Sequence, residues 1–467
     1  MFEQKVKDIY FMGIGGTAMG SLAGLLKSAG FNVRGSDNNV YSPMKEKLAS
    51  LNIDYQTPYD QKNLHPKPDL VIVGNVIRRD NPESLEMQRL ELNYESFPSF
   101  LNKYFLSNRK SLVISGTHGK TTSSSLLAHT LFSAKKKPGF LIGGILKNFN
   151  GGFLAPLDNG PFVIEGDEYD TAYFDKQPKF MHYKPNILLL TSIEFDHADI
   201  YKDLDAVINA FSNLLKTMTN NDIIIANSEC KNIKTAISLS HTKAKIYTYG
   251  ETGDFRAKST IFDNNGLKFN VFFKEENLGE VFIPLYGKHN LMNALGVYAM
   301  AHSFLLTHQE ICEGFKTFLG VKRRLEEIYN KNSLVAIDDF AHHPTAVRET
   351  ILAAKQKYPD KKLIAIFEPR SATSCMKIFE DDYASAFLNA DRVMIAPVGR
   401  NLAQDQIINT HKIAQLLNDQ NIEAQAFTNY EDFKLELSKI KDNNCLLFMS
   451  NGDFGGLLSN IYQIFDY

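Results

Sequence analysis

The chain has 467 residues, 44% hydrophobic and 22% charged, with a formal net charge of -2 at pH 7. That length exceeds what one core supports and suggests about three domains of ~150 residues each. The near-neutral balance excludes general attraction to nucleic acid or anionic membrane and points to small-molecule partners. No run of about 18 apolar residues occurs, and the first residues lead into a strand without a signal-peptide core, so a cytoplasmic protein with no membrane segment is expected. Cys230, Cys312, Cys375 and Cys445 lack paired spacing, as reduced thiols do.

Residues 8–12 read as a buried strand, followed by Gly13-Ile14-Gly15-Gly16-Thr17-Ala18-Met19-Gly20 and an apolar helix ending near Gly30. A second strand over 31–34 ends at Gly35-Ser36-Asp37, so an acid stands about 20 residues after the glycines, as a dinucleotide fingerprint requires. Such a loop brings backbone amides close to a pyrophosphate. UDP-sugars carry one as NAD does, and an NAD(P)-dependent oxidoreductase stands as the alternative from a different class. An apolar strand over 69–74 delivers Asn75, with Arg78 and Arg79 beyond it, to the carboxyl end where open parallel sheets bind ligands.

Residues 111–122, Ser-Leu-Val-Ile-Ser-Gly-Thr-His-Gly-Lys-Thr-Thr, place an apolar strand before a glycine loop and a helix. Loop and first-turn amides can surround an anion. Lys120 reaches the outer phosphates and the Thr121 hydroxyl suits Mg²⁺. The general Walker spacing fails because Ile114 stands where its first glycine belongs. Removing Lys120 should abolish turnover while leaving the fold intact. A strand over 161–165 then runs into Gly166-Asp167-Glu168-Tyr169-Asp170, and one over 186–192 into Ile193-Glu194-Phe195-Asp196-His197-Ala198-Asp199. If both neighbour the phosphate-loop strand, Thr121, Glu165 and His197 converge on the metal. Residues 245–283 suggest antiparallel hairpins added to this sheet. Gly287-Lys288-His289-Asn290-Leu291-Met292-Asn293 opens a helix with amides suited to an adenine edge. Lys322-Arg323-Arg324 offers guanidinium for phosphoryl-transfer charge.

Five strand-and-helix alternations, with strands at 334–338, 363–368, 392–396, 422–426 and 445–449, imply a second doubly wound parallel sheet. Its strand ends carry Asp338-Asp339-Phe340-Ala341-His342-His343-Pro344-Thr345, Glu368-Pro369-Arg370-Ser371 and Ser450-Asn451-Gly452-Asp453, three polar clusters facing one crevice.

The loop Gly116-Thr117-His118-Gly119-Lys120-Thr121-Thr122, the Asp196-His197 pair, the 287–293 element and Lys322-Arg323-Arg324 stand in the order found in the Mur ligases, and the chain resembles that family along essentially its whole length. Stretches 36–44, 168–176, 182–183 and 368–371 look most like the branch that joins UDP-N-acetylmuramate to the murein tripeptide L-alanyl-γ-D-glutamyl-meso-diaminopimelate in peptidoglycan recycling. The branch that adds L-alanine in de novo synthesis is the alternative. The resemblance implies an α/β protein of three domains: a Rossmann-like UDP-sugar domain (1–107), a central P-loop ATPase with a mixed sheet (108–320), and a Rossmann-like peptide domain (321–467).

It also implies an ATP- and Mg²⁺-dependent ligase working through an acyl phosphate, monomeric or weakly dimeric, whose C-terminal domain closes over the central one. The residues so implied are Gly13, Gly15, Gly16, Thr17, Ala18, Met19, Ser36, Asp37 and Asn75 for the nucleotide sugar. For ATP they are Gly116, Thr117, His118, Gly119, Lys120, Thr121, Thr122, His289, Asn290, Asn293, Arg324 and Asp338. For the peptide they are Glu368, Arg370, Ser371, Ser450 and Asn451, and for the metal Thr121, Glu165 and His197. Lys120, His197, Arg324 and His342 are the expected catalytic groups, with His197 and His342 both open as the base that deprotonates the attacking amine.

Overall fold

The computed structural model describes residues 6–41, 44–196, 200–263, 265–400 and 406–465. Three separate large sheets organise them, each with helices on its faces, a mixed α/β architecture.

The first sheet is five-stranded and parallel, with Asp8–Met12 at its centre between Asn32–Ser36 and Leu70–Val73. Leu70–Val73 reads as an unbroken apolar run because both faces are covered, and its four side chains are buried. Each such side chain contributes about 1.5–3 kcal/mol on leaving water. The strand order reverses direction beside Asp8–Met12, and the Gly13 loop leaves at that switch point. The following helix, Thr17–Ser28, packs by Gly24 onto Phe153 of the central sheet, where any Cβ would come within 2.5 Å of the ring.

The second sheet has ten strands. The phosphate-loop strand Ser111–Ser115 lies between Phe162–Gly166 and Ile187–Leu190, parallel to both, so the acidic and imidazole-bearing segments leave the sheet on either side of the loop. The expected hairpins form one edge, with Phe255–Asp263, Gly266–Phe273 and Glu276–Ile283 antiparallel. Lys245–Tyr249 instead extends the parallel part, beside Ile223–Asn227.

The third sheet has six strands. Its five expected strands are present and mutually parallel. A sixth, Glu326–Lys331, pairs antiparallel with Leu334–Asp339 at the edge. It is joined to the second sheet at a seam, where Val321 bridges Leu146, Lys322 N–H donates to Ile145 O and Lys147 N–H donates to Gly320 O. Among the described residues no helix is long and apolar enough to cross a membrane.

Candidate active site

The phosphate loop is fixed from beneath by the turn after Ile187–Leu190. Thr117 N–H donates to Ser192 O (2.9 Å), His118 N–H to Ser192 Oγ (3.1 Å) and the Thr191 hydroxyl to His118 O (2.6 Å). Glu194 N–H donates in return to Thr117 Oγ1 (2.8 Å). Gly119 has φ +80° and a Cβ there would lie 2.4 Å from Asn293 Oδ1, so only glycine fits. No side chain caps the helix Lys120–Ser133 that follows, which leaves its first amides and the positive end of its dipole for an anion. Ile114 is a fully buried strand residue, so the loop begins two residues later than a general Walker loop would.

Lys120 Nζ donates to Gly116 O (2.7 Å) and faces Glu168 Oε2 (3.3 Å) and Asp167 Oδ1 (3.9 Å). Burial works to lower its pKa, but Glu168, Asp167 and Glu165 together raise it. The lysine therefore neutralises a carboxylate cluster as well as standing at the phosphate loop, a set of contacts within the protein that the motif alone does not announce. Glu165 closes the cluster: burial and Asp167 push its pKa up to about 7 against the Thr121 hydroxyl, Lys120 and Arg324. Its Oε1 is buried with no hydrogen-bond partner. Side-chain-free backbone surrounds the pair, since a Cβ on Gly143 would lie 3.2 Å from Glu165 Oε2 and one on Gly144 would lie 2.6 Å from Thr121 Cγ2. Hard oxygen donors with one orphaned carboxylate oxygen fit Mg²⁺. His197, the third expected ligand, lies outside the described residues. Sequence reasoning missed Lys179, a 7% exposed lysine lying 4.2 Å from the Tyr169 ring centroid and 3.8 Å from Asp167. A lysine in an otherwise ordinary turn gives no signal of burial.

Of the two arginines, Arg323 is structural: it pairs with Asp338 (3.1 Å) and donates to Ser450 O (2.8 Å) and Gly452 O (2.6 Å). Arg324 lies over the Phe340 ring at 5.0 Å, in the field of Asp339 and Glu165. Asp338, expected at ATP, is 6% exposed and held by Arg323, and burial pushes its pKa up to about 6. At the start of helix Lys288–Ser303, Asn290 donates to Tyr286 O and accepts from Asn293. These amides brace the helix start and, through Asn293, the Gly119 turn, so the expected adenine contact is not what orients Asn290. Burial, Arg324 and His118 push the neighbouring His289 down to about 4, keeping it neutral.

In the C-terminal crevice Glu368 is fully buried and accepts from Tyr430 Oη (2.5 Å), Ser450 Oγ (2.6 Å) and Phe454 N (3.3 Å). Glu368 and Ser450 thus shape the crevice from within, whereas Arg370, 45% exposed, opens toward it. Ser371 bonds Ser374, and Asn451 Oδ1 is buried without a partner. His342 Nδ1 faces Phe340 O at 3.0 Å, and burial lowers its pKa.

Crossing between sheets, Thr345 Oγ1 donates to Glu194 Oε2 (2.7 Å) and Thr373 Oγ1 to Asp196 Oδ1 (2.6 Å). His118 lies 3.4 Å from Glu194, and its ring stands 4.8 Å from that of His343. Burial works to raise the Glu194 pKa, but His118, Thr345 and His343 bring it down to about 2.

At the Gly13 loop, Gly13 and Ile14 N–H groups donate to Ser36 O, and Gly15 N–H to Asp37 Oδ2 (2.9 Å). Asp37, which also bonds Tyr59, steadies the loop, so the ribose-binding acid of the oxidoreductase reading is already engaged. Ser36 is fully buried against Glu83 (2.5 Å) and is a core residue, not a contact for ligand. Gly16 caps the helix whose first turn holds Thr17, Ala18 and Met19. Asn75 is exposed and lines a cleft of about 320 Å³ with Arg78, Arg79, Asp170, Tyr173 and Lys176, between the first sheet and the hairpin of Asp170–Ala172 and Asp175–Pro178.

A phosphate loop closed by carboxylates, flanked by one sheet with a diphosphate-type glycine loop and another bearing a polar crevice, defines an enzyme that brings a nucleotide to two further substrates. Three family models match in chain order: Mur ligase family, catalytic domain, over 8–109; Mur ligase middle domain over 114–301; and Mur ligase, glutamate ligase domain, over 323–452. The UDP-N-acetylmuramate–L-alanyl-γ-D-glutamyl-meso-2,6-diaminoheptandioate ligase of Haemophilus influenzae is 37% identical over 459 residues, 98% of each chain. The UDP-N-acetylmuramate–L-alanine ligase of Clostridium acetobutylicum is 32% identical over 96% of this chain and 95% of its own. A crystal structure of a murein peptide ligase from Psychrobacter arcticus superposes with a TM-score of 0.73 at 31% identity, covering 98% of both chains. The chain belongs to the Mur ligase family of ATP-dependent amide-forming enzymes.

Proposed function

We propose that this ligase joins UDP-N-acetylmuramate to the tripeptide L-alanyl-γ-D-glutamyl-meso-diaminopimelate. The observation that carries the reading is the full-length 37% identity to an enzyme so named, against 32% for an L-alanine ligase. In this reading residues 1–107 hold the nucleotide sugar, 108–320 ATP and 321–467 the peptide.

A carboxylate is a poor electrophile, and ATP activates it by phosphorylation. The γ-phosphoryl group passes to the lactyl carboxylate, giving an acyl phosphate and ADP; the peptide amine attacks, and the tetrahedral adduct collapses to amide and phosphate. Lys120, the open first turn of its helix and Arg324 neutralise the charge of the transferring phosphoryl group, the preorganised stabilisation on which phosphoryl transfer depends. Thr121 and Glu165 would hold Mg²⁺, which supplies Lewis-acid neutralisation of the phosphates when bound. His342, kept neutral by burial, is suited to take the proton of the attacking amine. Arg370 provides the cation for a carboxylate of the peptide.

The test incubates the protein with ATP, Mg²⁺ and UDP-N-acetylmuramate, offers either tripeptide or L-alanine, and measures phosphate release. Turnover with the tripeptide is expected; turnover with L-alanine alone refutes the peptide reading, and none with either refutes the ligase.

A further inference from the structure

We propose that His118, Glu194 and His343 form a binding site for a zinc-class divalent cation, separate from the magnesium position at Thr121 and Glu165. One ligand atom from each lies within 4.8 Å of the others. His118 Nε2 is 3.4 Å and His343 Nδ1 3.9 Å from Glu194 Oε2. A cation among them reaches ligand distances of ~2.0–2.2 Å after small side-chain adjustments.

The donor set selects the ion. Two imidazoles and one carboxylate suit Zn²⁺, Co²⁺ or Ni²⁺, whereas Mg²⁺ prefers oxygen throughout. A second observation points the same way: His118 Nε2 is buried and meets no strict hydrogen-bond partner, its polar neighbour being the cluster's own Glu194 Oε2 at 3.4 Å. The backbone already holds all three residues. His118 is fixed by Ser192 and Thr191, Glu194 by Thr117 and Thr345, and His343 by its carbonyl, which accepts from Val347 N–H (2.9 Å) at the start of helix Pro344–Lys357. Supports of this kind orient metal ligands and sharpen affinity. The weak Thr345 N–H bond to His343 Nδ1, at 3.3 Å, must give way, and the cation takes the place of the direct His118–Glu194 contact. An adjoining cleft of about 340 Å³, lined by Glu194, His343, Phe379 and Asp382 among others, gives the ion a path and leaves a fourth position for water.

The ligands come from the phosphate loop, the strand end beside it and the C-terminal crevice, so the ion would fasten the crevice to the loop. It would slow turnover without competing with Mg²⁺. The site stands independently of which peptide the enzyme accepts.

The test titrates full-length, chelator-stripped protein with Co²⁺ in excess Mg²⁺ and follows visible absorption, then adds Zn²⁺. One equivalent of Co²⁺ should give the intense band of a tetrahedral site, and Zn²⁺ should erase it. Glu194→Gln and His343→Ala should each weaken binding by at least about tenfold, while Glu165→Gln leaves it unchanged. Glu194→Gln preserves size and the Thr345 contact, so it carries the test if His343→Ala loses its near-UV circular dichroism. No stoichiometric band, a band unaffected by Glu194→Gln, or one lost in Glu165→Gln overturns the proposal.

Discussion

Replacing Lys120 by alanine should cost both catalysis and stability, and the two losses separate by pH. Lys120 lies within 4 Å of Glu168 and Asp167, and Glu168 is 2% exposed. Breaking a buried ion pair from one side costs about 3–5 kcal/mol because the remaining charge is stranded. Two features reduce that figure here: Lys179 stands 3.8 Å from Asp167, and Glu165, already at about 7, can take a proton. A loss of about 2–3 kcal/mol at pH 8 follows, shrinking toward pH 6 as Glu165 protonates. The rate should fall by about 10³ or more, as when one transition-state charge donor is removed. Urea unfolding at both pH values and phosphate-release kinetics measure the two effects. Adding Glu168→Gln to Lys120→Ala should restore stability without restoring turnover. An unfolding midpoint equal to wild type at pH 8, or a rate loss under tenfold, refutes the double role.

Three further expectations rest on single contacts. Because a proton and a cation compete for Glu165, the Mg²⁺ concentration for half-maximal activity should rise as pH falls below about 7, and Glu165→Gln should flatten that dependence; a pH-independent requirement in wild type would contradict it. Glu368→Ala strands Tyr430, Ser450 and Phe454 N–H, which should cost about 2–4 kcal/mol and raise KM for the peptide far more than for ATP; equal KM shifts would show that Glu368 does not shape the crevice. His289 and His343 are each held near 4, below their unfolded value of about 6.5. The unfolded chain therefore binds protons first, and stability should fall by up to about 1.4 kcal/mol per pH unit per histidine between pH 6.5 and 4, with no contribution above 6.5. Denaturation midpoints across that range, with His343→Gln for comparison, check the sign.

Strands such as Leu70–Val73 and Ile187–Leu190 were legible because burial on both faces writes a continuous apolar run. Even the misplaced Walker glycine was informative, since Ile114 belongs to the strand itself. Glu326–Lys331 was not legible: only Tyr329 of its six residues is buried, so an edge strand with no apolar face leaves no period to read. Motif reading also grouped Ser36 with Asp37 and Glu368 with Arg370, yet within each pair one side chain points into the core. Which polar residue at a strand end faces ligand depends on burial by other segments, and Glu83 or Tyr430 are far away in sequence. The same holds for His118, Glu194 and His343, whose meeting exists only once two sheets are docked.

The seam between the second and third sheets has a mechanical meaning. Val321 and Lys322 are bonded to Leu146 and Ile145, and the next residues, Arg323 and Leu325, adopt left-handed backbone at φ 58° and 45°, a local cost retained where function demands it. Arg324 therefore sits almost on the axle about which the third sheet would turn. A rotation of that sheet about the seam would displace the far wall of the crevice a long way while moving this guanidinium little. A crevice opened in this way would widen at its rim and leave that charge beside the phosphate loop.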